Sequence, residues 1–139
     1  MKKFIITTLA TAILLAMPIA INAQSKVEKR YAYTLKNLKL DKATETKFAP
    51  ILKAYLKEKK EAGDIYDDVK DKYKSAVQAG TITDKQATLL LDAKIKSEVK
   101  ELEVRKKYTD EFKKVLKPKK VYYALDLANE KISKIDGRE

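Results

Sequence analysis

The side chains that could carry chemistry in this 139-residue chain are lysine, tyrosine and carboxylate groups. Histidine, cysteine and tryptophan do not occur, and the two methionines, Met1 and Met17, lie near the N-terminus. The serines therefore have no histidine to activate them as nucleophiles. Zinc, copper and nickel sites need imidazole or sulfur ligands in most cases. We expect a protein that is not an enzyme and that uses no cofactor and no metal.

Four aspartates lie at helical spacing within residues 64–71. This spacing places several carboxylates on one helix face, where they could hold a hard cation such as calcium. Lysines alternate with them up to residue 74, however, and the loop spacing of an EF-hand is missing. Ion pairs between residues i and i+4 on a solvated face explain the pattern better, so no calcium site is predicted.

Positive charge is concentrated in one segment of the chain. The sequence has 31 basic and 20 acidic residues, a net charge of +11. Residues 57–74 hold six basic and six acidic side chains, whereas residues 105–120 hold eight basic and two acidic ones. This segment is either an ordinary solvated face or a surface that attracts acidic or partly unfolded polypeptides over a long range. For the second function we predict four capturing lysines: Lys106, Lys107, Lys113 and Lys114.

Three of the eight tyrosines, Tyr55, Tyr66 and Tyr73, lie at helical spacing where a purely structural helix more often has leucine. Core packing or dimer contacts explain most tyrosines of this kind. Tyrosine also combines an apolar ring with a hydroxyl group, so it can contact varied partners. We predict that Tyr66 and Tyr73 are apolar contacts for a bound polypeptide.

The elements that must position these residues are four predicted helices, because glycine and proline are rare and strand alternation is missing. Ser25 and Asp41 suit the N-cap positions of the first two helices. Thr83 followed by Gln86 is a capping-box pattern that opens the third helix. Pro118 suits the first turn of the fourth helix. The sequence therefore predicts an all-α protein.

Apolar residues recur near every 3.6 positions in each predicted helix. The second helix is predicted to reach Val77, with a kink or a new helix at Pro50, and the fourth to reach Ile135. Helices of this length predict an elongated four-helix hairpin or bundle with long bent helices, which often needs a dimer to cover its apolar faces. The face assigned to the core in the third helix consists of Ala87, Leu91, Ile95, Val99, Leu102, Tyr108, Phe112, Val115 and Leu116.

The first 23 residues have the pattern of a cleavable signal peptide. Two lysines precede an apolar run from Phe4 to Met17, which is shorter than a membrane-spanning helix needs. Cleavage is expected after Ala23, with Ala20 as the alternative. Residues 24–139 would then be a single helical domain in the periplasm, without stable insertion into the membrane.

Three predicted helix starts look related to one another: Leu40 to Thr44, Ile82 to Gln86 and Leu116 to Lys120. They resemble the Leu-Thr-x-x-Gln motifs of the Spy/CpxP family, whose members are small periplasmic helical proteins. The middle copy matches with isoleucine in place of leucine, and the outer copies diverge further. The stretches Phe48 to Tyr55 and Tyr108 to Lys119 look like those of members from Bacteroidetes-type bacteria.

This resemblance implies an antiparallel homodimer of bent helical hairpins, shaped as a cradle that holds unfolded clients without ATP. Our first hypothesis is therefore an ATP-independent periplasmic chaperone for unfolded or aggregation-prone envelope proteins. The alternative is a non-enzymatic regulatory or structural envelope protein that binds one folded partner, such as a stress-sensor domain. Adhesion to an anionic membrane surface is a third hypothesis. No recognition module for nucleic acid is visible, so a nucleic-acid partner is not expected.

Overall fold

The computed structural model describes residues 25–138, and these form α-helices joined by short turns, without a β-strand. The prediction of an all-α protein is confirmed. The predicted signal peptide lies outside the described residues. The helices are α1 (Lys26–Leu38), α2 (Lys42–Lys72), α3 (Lys74–Ala79), α4 (Asp84–Lys113), α5 (Pro118–Ala128) and α6 (Ile132–Ile135).

The predicted helix caps are confirmed. Ser25 and Asp41 each accept a hydrogen bond from the backbone N–H three residues further on, at 3.2 and 2.8 Å. At the start of α4, the Thr83 hydroxyl accepts from the Gln86 N–H, and the Thr83 N–H donates to the Gln86 side chain. Gly80 ends α3 with a φ of 69°, a conformation that glycine adopts without steric cost.

Helices α2 and α4 form an antiparallel hairpin that is the frame of the fold. The rings of Phe48 and Phe112 are 5.0 Å apart at one end of it. Further along, the Ser97 hydroxyl donates a buried hydrogen bond to the Ala62 carbonyl oxygen at 2.8 Å. The two helices therefore run in opposite directions, as the turn at residues 80–83 requires.

The main core lies at one end of this hairpin, where α1 and α5 pack against it. Lys120 donates from Nζ to the Leu38 carbonyl oxygen at 2.6 Å, and Arg30 donates from Nε to the Glu130 carbonyl oxygen at 3.2 Å. These contacts place α1 and α5 antiparallel to each other. The fully buried side chains of this core include Phe48, Leu52, Tyr55, Phe112, Ala124 and Ala128.

The other end of the hairpin, residues 63–102, is an arm formed by α2 and α4 with the short α3 between them in the chain, and it has little core of its own. Of these residues only Leu90, Ala93 and Ser97 are buried, with 4 to 9 % of their surface exposed. Two helices side by side can bury only the seam between them, so their outer faces stay in water. The arm therefore presents most of its side chains to solvent or to a partner.

Two predicted helix boundaries are wrong. The second helix ends at Lys72 instead of Val77, because Tyr73 leaves the helical conformation (φ −109°, ψ 18°) and α3 begins after it. No new helix begins at Pro50, which lies inside α2. The fourth predicted helix does not reach Ile135 without a break, since α5 ends at Ala128 and α6 is a separate short helix.

Candidate functional site

The outer face of the arm carries a row of exposed apolar side chains on α4. Leu91, Ile95, Val99 and Leu102 have 61, 60, 52 and 62 % of their surface exposed. Their spacing of four, four and three residues places them on one side of the helix. We call these four residues the apolar stripe. Their periodicity predicted that they belong to the core, and that prediction is wrong.

The reason is that α4 has two apolar faces. The face opposite the stripe carries Leu90, Ala93, Ser97 and Val104, and this is the face that packs against α2. Alanine and serine at the seam let the two backbones approach closely enough for Ser97 to reach the carbonyl of Ala62. Within the described residues, no helix packs in this way against the larger side chains of the apolar stripe.

Two of the predicted capturing lysines continue the line of the apolar stripe. Lys106 lies four residues after Leu102, and Lys113 lies seven residues after Lys106, so all three share one helix face. Both lysines are exposed and make no ion pair with any residue between 25 and 138. The stripe and these two lysines form a continuous surface with an apolar part and a cationic part.

The other two predicted lysines are already paired. Lys107 contacts the Glu58 carboxylate at 3.0 Å, and Lys114 contacts Glu111 at 2.7 Å. The hydrogen bond from Lys107 holds the pKa of Glu58 below its usual value, and a second one comes from the Tyr108 hydroxyl at 2.9 Å. Burial together with this bond raises the pKa of Tyr108 to about 12. Lys107 is therefore part of a local network that fastens α4 to α2.

The structure does not bring the two predicted tyrosines together. Tyr66 lies beside Ser97 on one side of the seam between α2 and α4. Tyr73 lies on the other side, in a groove of about 370 Å³ that Val69 and Leu89 also line. Both rings are half-buried. Lys106 is nine residues beyond Ser97, about 14 Å along α4, so these tyrosines and the capturing lysines do not form one compact site.

The sequence did not predict a pair of exposed tyrosines on α5. Tyr122 and Tyr123 on α5 have 68 and 47 % of their surface exposed, and their rings lie 5.6 Å apart in an edge-to-face arrangement. Tyr122 follows the buried residue Val121 in α5. Tyr122 is exposed because α5 packs against the core through another side, which carries Val121, Ala124 and Ala128.

Neither a metal centre nor a membrane-spanning helix is found between residues 25 and 138. No three acidic side chains in this range are arranged so that they could hold a metal ion. No helix in the same range is long and apolar enough to cross a bilayer. Within the acidic segment of α2, Asp64 pairs with Lys60 at 2.7 Å, in the i and i+4 arrangement expected of a solvated face.

Comparison of the chain with known proteins gives no match among family models, curated proteins or solved structures. Membership of the Spy/CpxP family therefore stays a prediction.

Proposed function

We propose that this protein is an ATP-independent chaperone that holds unfolded or aggregation-prone envelope proteins. The observation that carries the proposal is the apolar stripe on α4, which is exposed and runs directly into Lys106 and Lys113. Unfolded chains expose apolar side chains that a folded protein buries, and the stripe offers these side chains a complementary surface.

Charge and apolar contact have separate roles in this proposal. Residues 24–139 keep 29 basic and 20 acidic side chains, a net charge of +9. This charge attracts acidic segments and speeds their encounter with the protein, an effect that salt weakens. Contact with the stripe then sets how long a client stays bound, since apolar burial acts only at short range. Lys107 and Lys114 contribute less to capture than Lys106 and Lys113, because carboxylates already neutralise part of their charge.

The test is the aggregation of a chemically unfolding protein, followed by light scattering, with and without residues 24–139 and without nucleotide. We expect suppression at near-equimolar dose, and weaker suppression at high salt. A scattering trace that does not change at any dose would refute the chaperone proposal. Suppression that is equally strong at all salt concentrations would refute the charge-steered part of it.

The alternative function is binding of one folded partner, such as a stress-sensor domain. The regular spacing of the apolar stripe favours it, because four residues at intervals of three and four are what a helix presents to another helix. A second copy of this chain is one such partner, and a homodimer of this kind would bury the stripe. Capture of one stoichiometric folded protein, with no affinity for denatured clients, would favour the alternative over the chaperone.

We place this activity in the periplasm, on the basis of the predicted signal peptide. Removal of residues 1–23 would leave a chain that begins at Gln24, next to the Ser25 cap of α1. We expect the mass of the protein recovered from the periplasmic fraction to match residues 24–139. Recovery of the uncut chain from the cytoplasm would contradict the predicted export. It would also contradict the proposal that the clients are envelope proteins.

A further inference from the structure

Beside the main core, two cations line one cleft and a third lies close enough to lower the pKa of one of them; none has a carboxylate partner. They are Arg30 of α1, Lys59 of α2 and Arg105 of α4. None of them lies within 4 Å of a carboxylate between residues 25 and 138, unlike Lys29, which pairs with Asp136 at 2.9 Å. This part of the molecule therefore has more positive charge than its own side chains neutralise.

Two of these cations line a cleft of about 320 Å³ between α1, α2 and α4. Lys60 on its edge is neutralised by Asp64 at 2.7 Å. The remaining charged residues of the cleft are Lys26, Arg30 and Lys59 against Asp67 and Glu101. These three cations exceed the two anions by one charge, and Arg105, which does not line the cleft, acts on Lys59 from nearby.

The contacts that Arg30 and Lys59 make are with neutral acceptors. Arg30 donates from Nε to the Glu130 carbonyl oxygen at 3.2 Å, and Lys59 donates from Nζ to the Asn129 side-chain oxygen. Both acceptors lie at the C-terminal end of α5, where the helix dipole supplies about half a negative charge. This contact explains why cations are found here, but it compensates only part of their positive charge.

The surroundings of Lys59 indicate that an anion would stabilise this cluster. Burial lowers the pKa of Lys59, and the positive charge of Arg30 lowers it further. A negative charge next to Lys59 would counter both effects.

We propose that this cleft binds a phosphate-type oxyanion, with Arg30 and Lys59 as its main ligands. The guanidinium group of arginine can donate two parallel hydrogen bonds to two phosphate oxygens, and the ammonium group of lysine adds a point charge. A lining with a net positive charge that includes an arginine suits an oxyanion with several acceptor oxygens. The same chemistry is offered by free phosphate and by the phosphate of a lipid headgroup.

Calorimetric titration with inorganic phosphate, at constant ionic strength set by chloride, tests the site. We expect saturable binding of one phosphate per chain. Arg30→Gln and Lys59→Gln should each raise Kd about tenfold or more, since each removes a charged hydrogen bond. Lys85→Gln is the matched control, because it removes the same charge from an exposed position at the start of α4 and should leave Kd unchanged. Circular dichroism confirms that each variant is helical.

The proposal would be overturned if the binding heat of the unsubstituted protein does not saturate with phosphate. It would also be overturned if neither substitution changes the Kd. If both variants fail to fold, the NMR amide chemical shifts of Arg30 and Lys59 in the unsubstituted protein test the proposal. These shifts must change when phosphate is added and stay unchanged when chloride is added. Co-sedimentation with phosphatidic acid vesicles identifies the source of the phosphate. Binding that Arg30→Gln weakens and Lys85→Gln does not would assign a lipid headgroup, and equal binding by both variants would assign free phosphate.

Discussion

Replacement of Phe112 by alanine is expected to lower the free energy of unfolding by about 3–5 kcal/mol. The Phe112 ring is fully buried, and it lies 5.0 Å from the ring of Phe48 and 5.5 Å from that of Tyr55. The substitution removes apolar contacts and leaves a cavity that three helices cannot easily close. Urea unfolding followed by circular dichroism measures the loss.

Tyr122→Ala is the matched control for this prediction. It also removes an aromatic ring from a helix, but 68 % of the Tyr122 surface is exposed, so a change within about 0.5 kcal/mol is expected. If Phe112→Ala is unfolded, Phe112→Leu should still fold, with a loss of about 1–2 kcal/mol. A loss in Phe112→Ala no larger than that of Tyr122→Ala would mean that the aromatic cluster is not the main source of stability.

The helix starts could be predicted because a cap depends on residues within one turn of each other. Asp41 accepts from the N–H three residues on, and Thr83 and Gln86 complete their box without help from the rest of the chain. The end of α5 was missed for the opposite reason. Lys59 and Arg30 bond to Asn129 and Glu130, and these long-range contacts leave no signal in the local sequence.

The buried face of α4 could not be chosen from periodicity. Both faces repeat with the period of a helix, and the apolar stripe has the larger side chains, so the stripe was wrongly assigned to the core. The assignment of Tyr108, Phe112 and Leu116 to the core is confirmed. The buried face of α4 is the one that fits against α2. On this face Ala93 and Ser97 allow the two helices to approach closely, and Tyr108 and Phe112 fill the core further along. Paired small residues at 93 and 97 were the available signal.

The cluster of Arg30, Lys59 and Arg105 was also missed. Each of these residues looks like an ordinary surface cation when it is read along its own helix. They meet only because α1 packs across the α2–α4 hairpin, and a charge count over sequence segments cannot show that arrangement. By contrast, the basic segment from Lys106 to Lys114 was visible, since its charges are neighbours in the chain.

The larger functional effect is expected from replacing the whole apolar stripe by glutamine, Leu91→Gln, Ile95→Gln, Val99→Gln and Leu102→Gln together. The dose needed for half-suppression of aggregation should rise at least about tenfold. Burial of about 60 Å² of apolar surface corresponds to about 1.5 kcal/mol, which is already a tenfold change in affinity. The exposed surface of four large side chains is several times that area.

The helix should survive these substitutions. More than half of the surface of each residue is exposed, and glutamine forms helices about as well as leucine and better than isoleucine or valine. A matched control replaces four exposed charged residues of α4 by glutamine, with no change in net charge, and should keep full activity. The control substitutions are Lys85→Gln, Asp92→Gln, Lys96→Gln and Glu103→Gln.

The oligomeric state of both proteins separates the two partners that the stripe could have. If the unsubstituted protein is a monomer and the stripe variant loses suppression, the stripe is the client surface. If the unsubstituted protein is a dimer, the variant is a monomer and suppression is unchanged, the stripe pairs two copies and clients bind elsewhere. The apolar stripe lies on an arm, residues 63–102, that buries only three of its residues, and an exposed apolar row of this kind is typical of a surface that contacts a partner.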